Sequence, residues 1–460
     1  MPLPTTTEFT PGTFPSSGVY HSAALVACTA PVAVLLGATR WGSYIGYQVL
    51  YLTDLLIAFG VAHYWLSITR KGKVFVRGYT SRSVPGLSLQ IFYIYVCGRL
   101  LTSVDGIGSL PWIRDAVPFL YIGIAFVSAS AVSRSYKPMR QRTMRVIWWA
   151  LFFHLGWTSA VILAKVNTEQ FPRFPGAAVS VGSLRPDVDC AVLGVTAALL
   201  LRKALRRDRT LLSLGLFGLC LATVAGTTTR GGFVAVAVTV SLGLALVYFA
   251  SNVRSAKRQV VVALTVAAVL SLGIYVPNST LGQRLLATVD PALATDAALG
   301  AVGTAHARDA TWQLVVDWTE QTKTRRLVGA GPGPDFVTES GASKLLEGTQ
   351  YQDVRSPHNW LIGLYARMGL VGVVLALMVI ASLGYTIWRH RRRIGDDEFL
   401  FACTMIVAAV IPVALVGVVL ESPFGAVPFW WASGILLALG PKDVCTRRSQ
   451  ADSTRGGFCS

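Results

Sequence analysis

Long apolar stretches, separated by polar segments, run along almost the whole chain. A helix needs roughly 20 apolar residues to cross the hydrocarbon core of a bilayer, and most of the stretches approach that length. The pattern predicts an all-α polytopic membrane protein with about twelve membrane-spanning helices. The predicted spans are Ala23–Ala38, Tyr44–Ile68, Leu87–Val104, Ile113–Ser133, Val146–Ala164, Val188–Leu201, Leu211–Ala225, Gly232–Ala250, Val260–Val276, Asn359–Trp388, Phe399–Leu420 and Ala426–Leu439. We expect them to form a single membrane domain over residues 1–460.

The polar segments between the apolar stretches alternate in charge. Lys and Arg concentrate in every second segment and in the C-terminal tail, at 70–82, 134–145, 202–209, 254–258, 389–393 and 442–455. Because positively charged loops stay in the cytoplasm, the alternation predicts an even number of spans with both termini cytoplasmic. It also accounts for the net charge of +18 without a nucleic-acid partner.

One outward segment, the loop 278–357 between predicted spans nine and ten, is much longer than the others. Its seven basic and nine acidic residues give it a sign opposite to that of the cytoplasmic segments. A long polar loop in a compact bundle is usually either functional or disordered. Trp312, Val315 and Trp318 recur at near-helical spacing within 307–320, which predicts a helix there. We therefore expect the loop to be a folded cap.

Composition agrees with a lipid environment. Hydrophobic residues make up 53% of the chain and charged residues 14%, whereas a soluble domain has about a quarter charged residues. The seven Cys residues show no Cys-x-x-Cys or Cys/His ligand spacing, so we predict no disulfide framework, metal site or cofactor. Asp187 and Asp189 lie at the outer start of the predicted span Val188–Leu201. Such an acid pair could hold a metal, but Asp at a helix N-terminus is usually a cap, and we interpret the pair as one.

A tight outward turn between predicted spans seven and eight contains Thr229, Arg230 and Gly231. One interpretation is that the arginine simply extends to the membrane interface. The other is that it presents a guanidinium group beside backbone N–H groups and hydroxyls, an arrangement that suits phosphate or pyrophosphate. Arg308, which precedes Asp309 in the outer loop, indicates by itself only a solvated helix face.

Where the outer loop re-enters the membrane, His358 precedes Asn359. Partial desolvation at the interface favours the neutral imidazole, which is the form that a general base requires. The alternative is that these two residues only cap the next helix. In the Gly-rich run before them, Gly331 and Gly333 either let a ligand approach the backbone or form a structural turn; Pro332 excludes the dinucleotide and Walker patterns.

Taken together, these motifs resemble the O-antigen ligase and polymerase family of bacterial cell-surface polysaccharide assembly. The resemblance is carried by the Thr-Arg-Gly-Gly turn at 229–232, by Arg308 four residues before Trp312, and by His358-Asn359 followed after nine residues by Gly369 and Gly372. The most specific of these features is the last spacing. The number of spans and the position of the long loop also match the family.

The resemblance implies metal-independent glycosyl transfer. The donor would be a glycan linked to undecaprenyl pyrophosphate, and the acceptor a hydroxyl of a glycan, lipid or protein at the outer face of the membrane. In this reaction Arg230 and Arg308 would bind pyrophosphate, His358 would act as the base, and Asn359 would orient the histidine or the sugar. The further residues expected to bind substrate are Thr229, Gly231, Gly331 and Gly333.

Three other functions remain open from the sequence. A polymerase of the same family would extend a lipid-linked chain, and most of its motifs are shared with a ligase. A twelve-span transporter of a polysaccharide or lipid-linked glycan would usually have its long loop after span six, where this chain is short and no internal repeat is found. A scaffold protein of a polysaccharide-assembly complex would leave Arg230, Arg308 and His358 replaceable.

Overall fold

The computed structural model describes residues 18–47, 50–69, 84–103, 109–133, 137–177, 179–206, 210–227, 229–250, 259, 296–347 and 355–439. Apart from β1 (Gly46–Tyr47) and β2 (Leu50–Tyr51), which pair antiparallel, the regular structure in these residues is helical. The first helices are α1 (Gly18–Gly42), α2 (Leu52–Thr69), α3 (Val84–Thr102), α4 (Leu110–Leu120), α5 (Gly123–Ser133), α6 (Lys137–Ile162), α7 (Pro186–Leu205), α8 (Thr210–Ala225) and α9 (Arg230–Phe249). The others are α10 (Asp296–Glu320), α11 (Lys323–Val328), α12 (Phe336–Glu339), α13 (Trp360–Arg389), α14 (Arg391–Asp396), α15 (Glu398–Val416) and α16 (Pro423–Leu437).

Long apolar helices dominate this fold. Within the described residues, five helical stretches have the length and composition to cross a membrane, namely Leu110–Ser130, Met139–Ile162, Arg230–Phe249, Trp360–Arg389 and Glu398–Val416. Large apolar side chains also lie on the helix surfaces, with Leu211 86% and Trp149 77% exposed. Lipid solvates such side chains, whereas water does not. The fold is therefore that of an all-α membrane protein.

The predicted apolar stretches that are described all overlap helices, with two differences in detail. The helix expected from Tyr44 begins only at Leu52, because the β1–β2 pair and a turn precede it. The stretch 113–133 is divided between α4 and α5. Pro118, which lacks an N–H donor and crowds the preceding turn, lies two residues before α4 ends. The stretch 260–276 lies outside the described residues, and the helix predicted over 307–320 is confirmed as part of α10.

Helices α7, α9 and α15 pack closely because small residues lie at their contacts. A Cβ on Gly194 of α7 would lie 3.1 Å from the Cα of Val236 in α9. One on Gly243 of α9 would lie 3.1 Å from the Cβ of Ala198 and 3.3 Å from the Sδ of Met405 in α15. Small residues let membrane helices approach each other in this way. The contacts of Gly194 and Gly243 show that α7 and α9 run in the same direction. A Cβ on Gly231, at the start of α9, would lie 2.7 Å from Cγ2 of Val416 at the end of α15, so α15 runs in the opposite direction.

Several of the basic residues that we assigned to the cytoplasm lie together at one end of the bundle. Arg202 and Arg206, at the end of α7, donate hydrogen bonds to the backbone carbonyls of Gly395 and Asp396 at 2.8 to 3.2 Å. The four residues come from two predicted cytoplasmic segments that are far apart in sequence. Their contact places both segments at the same end.

The N-terminal ends of α7, α9 and α13 lie at the opposite end of the bundle. Helices α7 and α9 are parallel, and the last residue of α9, Phe249, contacts Trp388 near the end of α13 with ring centroids 6.2 Å apart. Their C-terminal ends therefore share one end, and their first residues share the other. Arg202 and Arg206 thus lie at the opposite end of the described bundle from the first residues of α7, α9 and α13.

Helix α13 is interrupted at Gly369, where the backbone has a left-handed φ of 65°. The interruption makes room for the Gly-rich run of the outer loop. The N–H of Gly331 donates to the carbonyl of Arg367 at 2.9 Å, and a Cβ on Gly369 would lie 2.4 Å from the backbone of Leu327. Only glycine has both the conformation and the space that this contact requires.

We expect Gly369→Ala to lower the free energy of unfolding by about 2–4 kcal/mol, because it combines backbone strain with overpacking. The matched control is Gly384→Ala in the same helix, where a Cβ would meet nothing within 4 Å. The control should be neutral or slightly stabilising. Thermal unfolding of both variants in detergent measures the difference, and equal melting temperatures would contradict the role assigned to the kink.

Candidate functional site

His358 lies in the short connection that leads from the outer loop into α13. Its φ of 54° is left-handed, which is uncommon for a residue other than glycine. The next residue, Asn359, caps α13, since its Oδ1 accepts the N–H groups of Leu361 at 3.0 Å and Ile362 at 3.3 Å. The capping role considered from the sequence therefore belongs to Asn359. Its carboxamide oxygen is committed to the helix, which leaves only its NH₂ group for a substrate.

The outer-loop helix α10 brings positive charge to His358. The Nε1 of Trp312 donates to the carbonyl just before His358 at 2.5 Å, and Arg308 precedes Trp312 by about one helical turn on the same face. Burial, and then the charges of Arg308 and Arg185, lowers the pKa of His358 from 6.5 to about 4, whereas Asp187 acts in the opposite direction. The imidazole is therefore neutral at pH 7 and can accept a proton.

Arg185, the residue before α7, belongs to this site although the sequence did not indicate it. Its Nε donates to Asp187 Oδ1 at 3.2 Å, and its guanidinium group lies 5.2 Å from the centroid of the Phe424 ring. These contacts leave the side chain 21% exposed. An arginine in an outward loop is ordinarily solvated, so no sequence signal marked this one. Only the fold, which brings the start of α7 near His358, reveals that Arg185 belongs to the site.

The acid pair at the start of α7 has two separate tasks. Asp189 is fully buried; its Oδ2 accepts the backbone N–H of Arg185 at 2.6 Å, and its Oδ1 accepts the hydroxyl of Thr39 at 2.6 Å. Neither acid is the N-cap of α7, which is Arg185; Asp189 binds the backbone N–H of that residue, whereas Asp187 pairs with its side chain. In the part of the chain that the structure describes, no three His, Cys, Asp or Glu residues converge as a metal-binding group.

Arg230 is the first residue of α9, and Thr229 is its N-cap, with no capping hydrogen bond from the threonine side chain. The next residue, Gly231, packs against the end of α15, where a Cβ would lie 2.7 Å from Val416 Cγ2. A Cβ on the glycine after Val416 would lie 3.3 Å from Asp187 Oδ2. The turn that carries Arg230 therefore lies at the same end of the bundle as the start of α7.

The structure thus brings together two of the residues that the sequence proposed, Arg308 and His358, and one that it did not, Arg185. The positive charges of Arg308 and Arg185 act directly on His358. Arg230 lies at the same end of the bundle, because the start of α9 packs against the end of α15. Guanidinium groups bind phosphate oxygens in pairs of hydrogen bonds and keep their charge at any physiological pH. The arrangement is that of a proton acceptor beside positively charged side chains.

In the Gly-rich run, the two glycines that were predicted to bind substrate donate their N–H groups to other groups of the protein. Gly331 donates to the carbonyl of Arg367 at 2.9 Å, and Gly333 donates to Asp115 Oδ2 at 3.1 Å. A Cβ on Gly331 would also come within 2.9 Å of Ser103. These contacts favour a structural role for the Gly-rich run, which joins the outer loop to the kink of α13.

A second group of charged residues lies beside this site. The side chain of Arg367 is 6% exposed and lies 3.3 Å from both Asp115 and Glu421. Arg355 lies 3.3 Å from Asp115 and 3.4 Å from Asp335. Arg367 and Asp115 are 252 residues apart in the chain. Local spacing in the sequence therefore gives no indication of the group.

No family model and no curated protein matches this chain. The likeness to the O-antigen ligase family therefore depends only on the short motifs around Arg230, Arg308 and His358.

Proposed function

We propose that this protein transfers a glycan from an undecaprenyl-pyrophosphate donor to an acceptor hydroxyl at the outer face of the plasma membrane, without a metal. The observation that carries the proposal is the surroundings of His358, a neutral imidazole under the charges of Arg308 and Arg185. Transfer from a pyrophosphate leaving group needs a base for the acceptor and cations for the departing anion. Both kinds of group are present here.

The proposal includes twelve spans, cytoplasmic termini and an outward loop 278–357. It is supported by the separation of the bundle ends, with Arg202 and Arg206 at one end and Arg185 and Arg230 at the other. With the first end in the cytoplasm, His358 faces outward. Nucleotide sugars are not expected there, so a donor that carries its own pyrophosphate leaving group suits that side.

In the proposed reaction, the acceptor hydroxyl gives its proton to an imidazole nitrogen of His358, and its oxygen attacks the anomeric carbon of the donor sugar. The bond from that carbon to the pyrophosphate oxygen breaks, and its electron pair leaves with the pyrophosphate. Arg230 and Arg308, together with Arg185, stabilise the negative charge that grows on the leaving group. His358 then releases its proton to solvent.

A polymerase would use the same groups and differ only in its acceptor, the end of another lipid-linked chain. The spacing from His358-Asn359 to Gly369 and Gly372 favours the ligase. Supplying purified protein with each kind of acceptor in turn separates the two activities.

We expect purified protein in proteoliposomes to join the lipid-linked glycan to an acceptor and to release undecaprenyl pyrophosphate, at a rate that EDTA does not change. Product analysis by mass spectrometry measures the transfer. Movement of glycan across the bilayer with no new covalent product would indicate a transporter instead. If EDTA abolished transfer and added divalent metal restored it, the metal-free mechanism would be wrong and Asp187 would become a candidate ligand.

Reporter fusions test the proposed orientation. We expect fusions at Lys137, Arg206 and the C-terminal tail to report the cytoplasm, and fusions at Thr229 and Glu339 to report the outside, because the positive segments stay in the cytoplasm. A cytoplasmic signal at Thr229 would separate Arg230 from the outer loop and would contradict the mechanism.

A further inference from the structure

A cleft of about 140 Å³ opens beside the candidate active site. It lies between the start of α4, the residues before α13 and the connection from α15 to α16. Its walls include Asp115, Phe119, Arg355, Ser356, Arg367 and Glu421. The volume is about ten times what one water molecule needs. Ser356 precedes His358 by two residues, so the cleft adjoins the proposed base.

Four buried polar atoms in the walls of this cleft have no hydrogen-bond partner among the described residues. They are the Nε atoms of Arg355 and Arg367, Oγ of Ser356 and Oε1 of Glu421. Buried polar atoms in proteins are nearly always bonded to something. The two Nε atoms can only donate, the carboxylate oxygen can only accept, and the hydroxyl can do both. The cleft therefore suits a ligand that both donates and accepts hydrogen bonds.

The buried charges in the cleft walls are already matched, in contrast to those around His358, although the exposed Arg114 adds one positive charge to the lining. Arg367 lies 3.3 Å from Asp115 and 3.3 Å from Glu421. A phosphate group would bring additional negative charge against these two carboxylates, whereas a neutral polyhydroxyl ring would not. Phe119 adds an apolar wall, against which the C–H face of such a ring can pack. The chemistry points to a sugar rather than an anion.

We propose that the cleft binds a sugar ring, and that this ring belongs to the acceptor whose hydroxyl His358 deprotonates. Assigning the ring to the acceptor rests on the proposed glycosyl transfer, but sugar binding in the cleft does not. The pyrophosphate of the donor and the neutral acceptor sugar then occupy adjoining regions, one lined by guanidinium groups and the other by matched charges and hydrogen-bonding atoms. The cleft thereby selects the acceptor.

Saturation-transfer NMR on the full-length protein in nanodiscs tests the binding directly, with glucose, galactose, mannose and N-acetylglucosamine as probes. The test variants are Ser356→Ala, which removes an unpartnered hydroxyl, and Glu421→Gln. The matched control is Ser433→Ala, because the Ser433 hydroxyl is also buried without a partner but is not in the walls of the cleft.

We expect at least one sugar to give a signal with the wild type and with Ser433→Ala. The signal should fall about three- to tenfold with Ser356→Ala, as for the loss of one hydrogen bond, and at least as much with Glu421→Gln. Absence of any signal from all four sugars would overturn the proposal. So would equal signals from all four proteins, since the cleft would then hold only water.

Kinetics identify the source of the sugar. We expect Ser356→Ala to raise the KM for the acceptor about three- to tenfold and to leave kcat and the donor KM unchanged. A rise in the donor KM instead would assign the ring to the glycan of the donor. Intact transfer with both KM values unchanged would contradict sugar binding in the cleft but would not affect the proposed function. Sugar binding in the NMR experiment without transfer by any protein would count against the proposed function alone.

Discussion

Replacing His358 with alanine is expected to lower the rate of glycan transfer by about 10²–10⁴-fold, the usual contribution of a general base. Donor binding should remain nearly unchanged, because the arginines hold the pyrophosphate. The measurement is the initial rate of transfer in proteoliposomes, normalised to folded protein, alongside binding of labelled donor. Since Asn359 supplies the helix cap, an unchanged normalised rate would remove His358 from the chemistry altogether.

The pH dependence of the wild type gives an independent check on the same residue. Because the pKa of His358 is lowered to about 4, its neutral form persists well below pH 6.5. The ratio kcat/KM reports the free enzyme. We therefore expect it to stay constant from neutral pH to about pH 5 and to fall as the pH approaches 4. The low-pH limb should disappear in His358→Ala. A limb near pH 6.5 in kcat/KM would contradict the charged surroundings described for this histidine.

The donor itself should change this titration. Arg308 and Arg185 contribute to the low pKa of His358, and a bound pyrophosphate offsets their positive charge. Its own negative charge also favours the imidazolium form. We therefore expect the low-pH limb of kcat, which reports the bound enzyme, to lie at higher pH than the limb of kcat/KM. This shift brings the pKa of His358 closer to the pH at which the enzyme works, where general-base catalysis is most effective.

Protein stability should depend on the same group. The folded pKa of His358 lies below the unfolded value of 6.5, so the unfolded chain takes up a proton more readily between the two values. The contribution of His358 to stability is therefore complete above pH 6.5 and is lost as pH falls towards 4. For this reason the rates in the acidic range must be normalised to folded protein.

The second large effect is expected from Arg230→Lys. Lysine keeps the positive charge but loses the planar fork that bonds two phosphate oxygens at once. We expect transfer to fall by about 10²–10³-fold, as for the loss of one group that stabilises a developing anion, with normal amounts of protein in the membrane. The assay is the same transfer reaction with saturating acceptor, together with donor binding.

The control for this variant is Arg392→Lys, since Arg392 is exposed and lies in α14 at the opposite end of the bundle. It should transfer at the wild-type rate. If Arg230→Lys behaved like this control, Arg230 would only extend to the membrane interface, and the pyrophosphate would have to be bound by Arg308 and Arg185.

Local features of the sequence were sufficient to predict the helices. Apolar stretches of span length, such as those now in α9 and α13, became helices because an apolar backbone in lipid must satisfy its hydrogen bonds internally. The spacing of Trp312, Val315 and Trp318 was likewise enough to predict the helix in the outer loop. The orientation that the alternation of basic segments indicates stays a prediction, which the reporter fusions test.

The candidate site was only partly predictable. Arg230 and His358 could be selected from their own short motifs. Arg308 could be selected only because the motifs taken together resemble a known family. Arg185 could not be selected, because its sequence neighbours are those of an ordinary outward loop. Its charge matters only where α7 packs beside the connection that carries His358.

The tertiary structure alone decided the roles of the glycines and of the buried charges. Gly331 and Gly369 are a turn and a spacing motif in the sequence. In the fold a Cβ on Gly369 would meet the backbone of Leu327, and one on Gly331 would meet the side chain of Ser103. Arg367, Asp115 and Glu421 come from three distant helices or connections, and their pairing creates the cleft. The periodicity of the sequence indicates which face of a helix is apolar. Contacts between residues hundreds of positions apart depend instead on how the helices pack, and a local sequence pattern does not determine that packing.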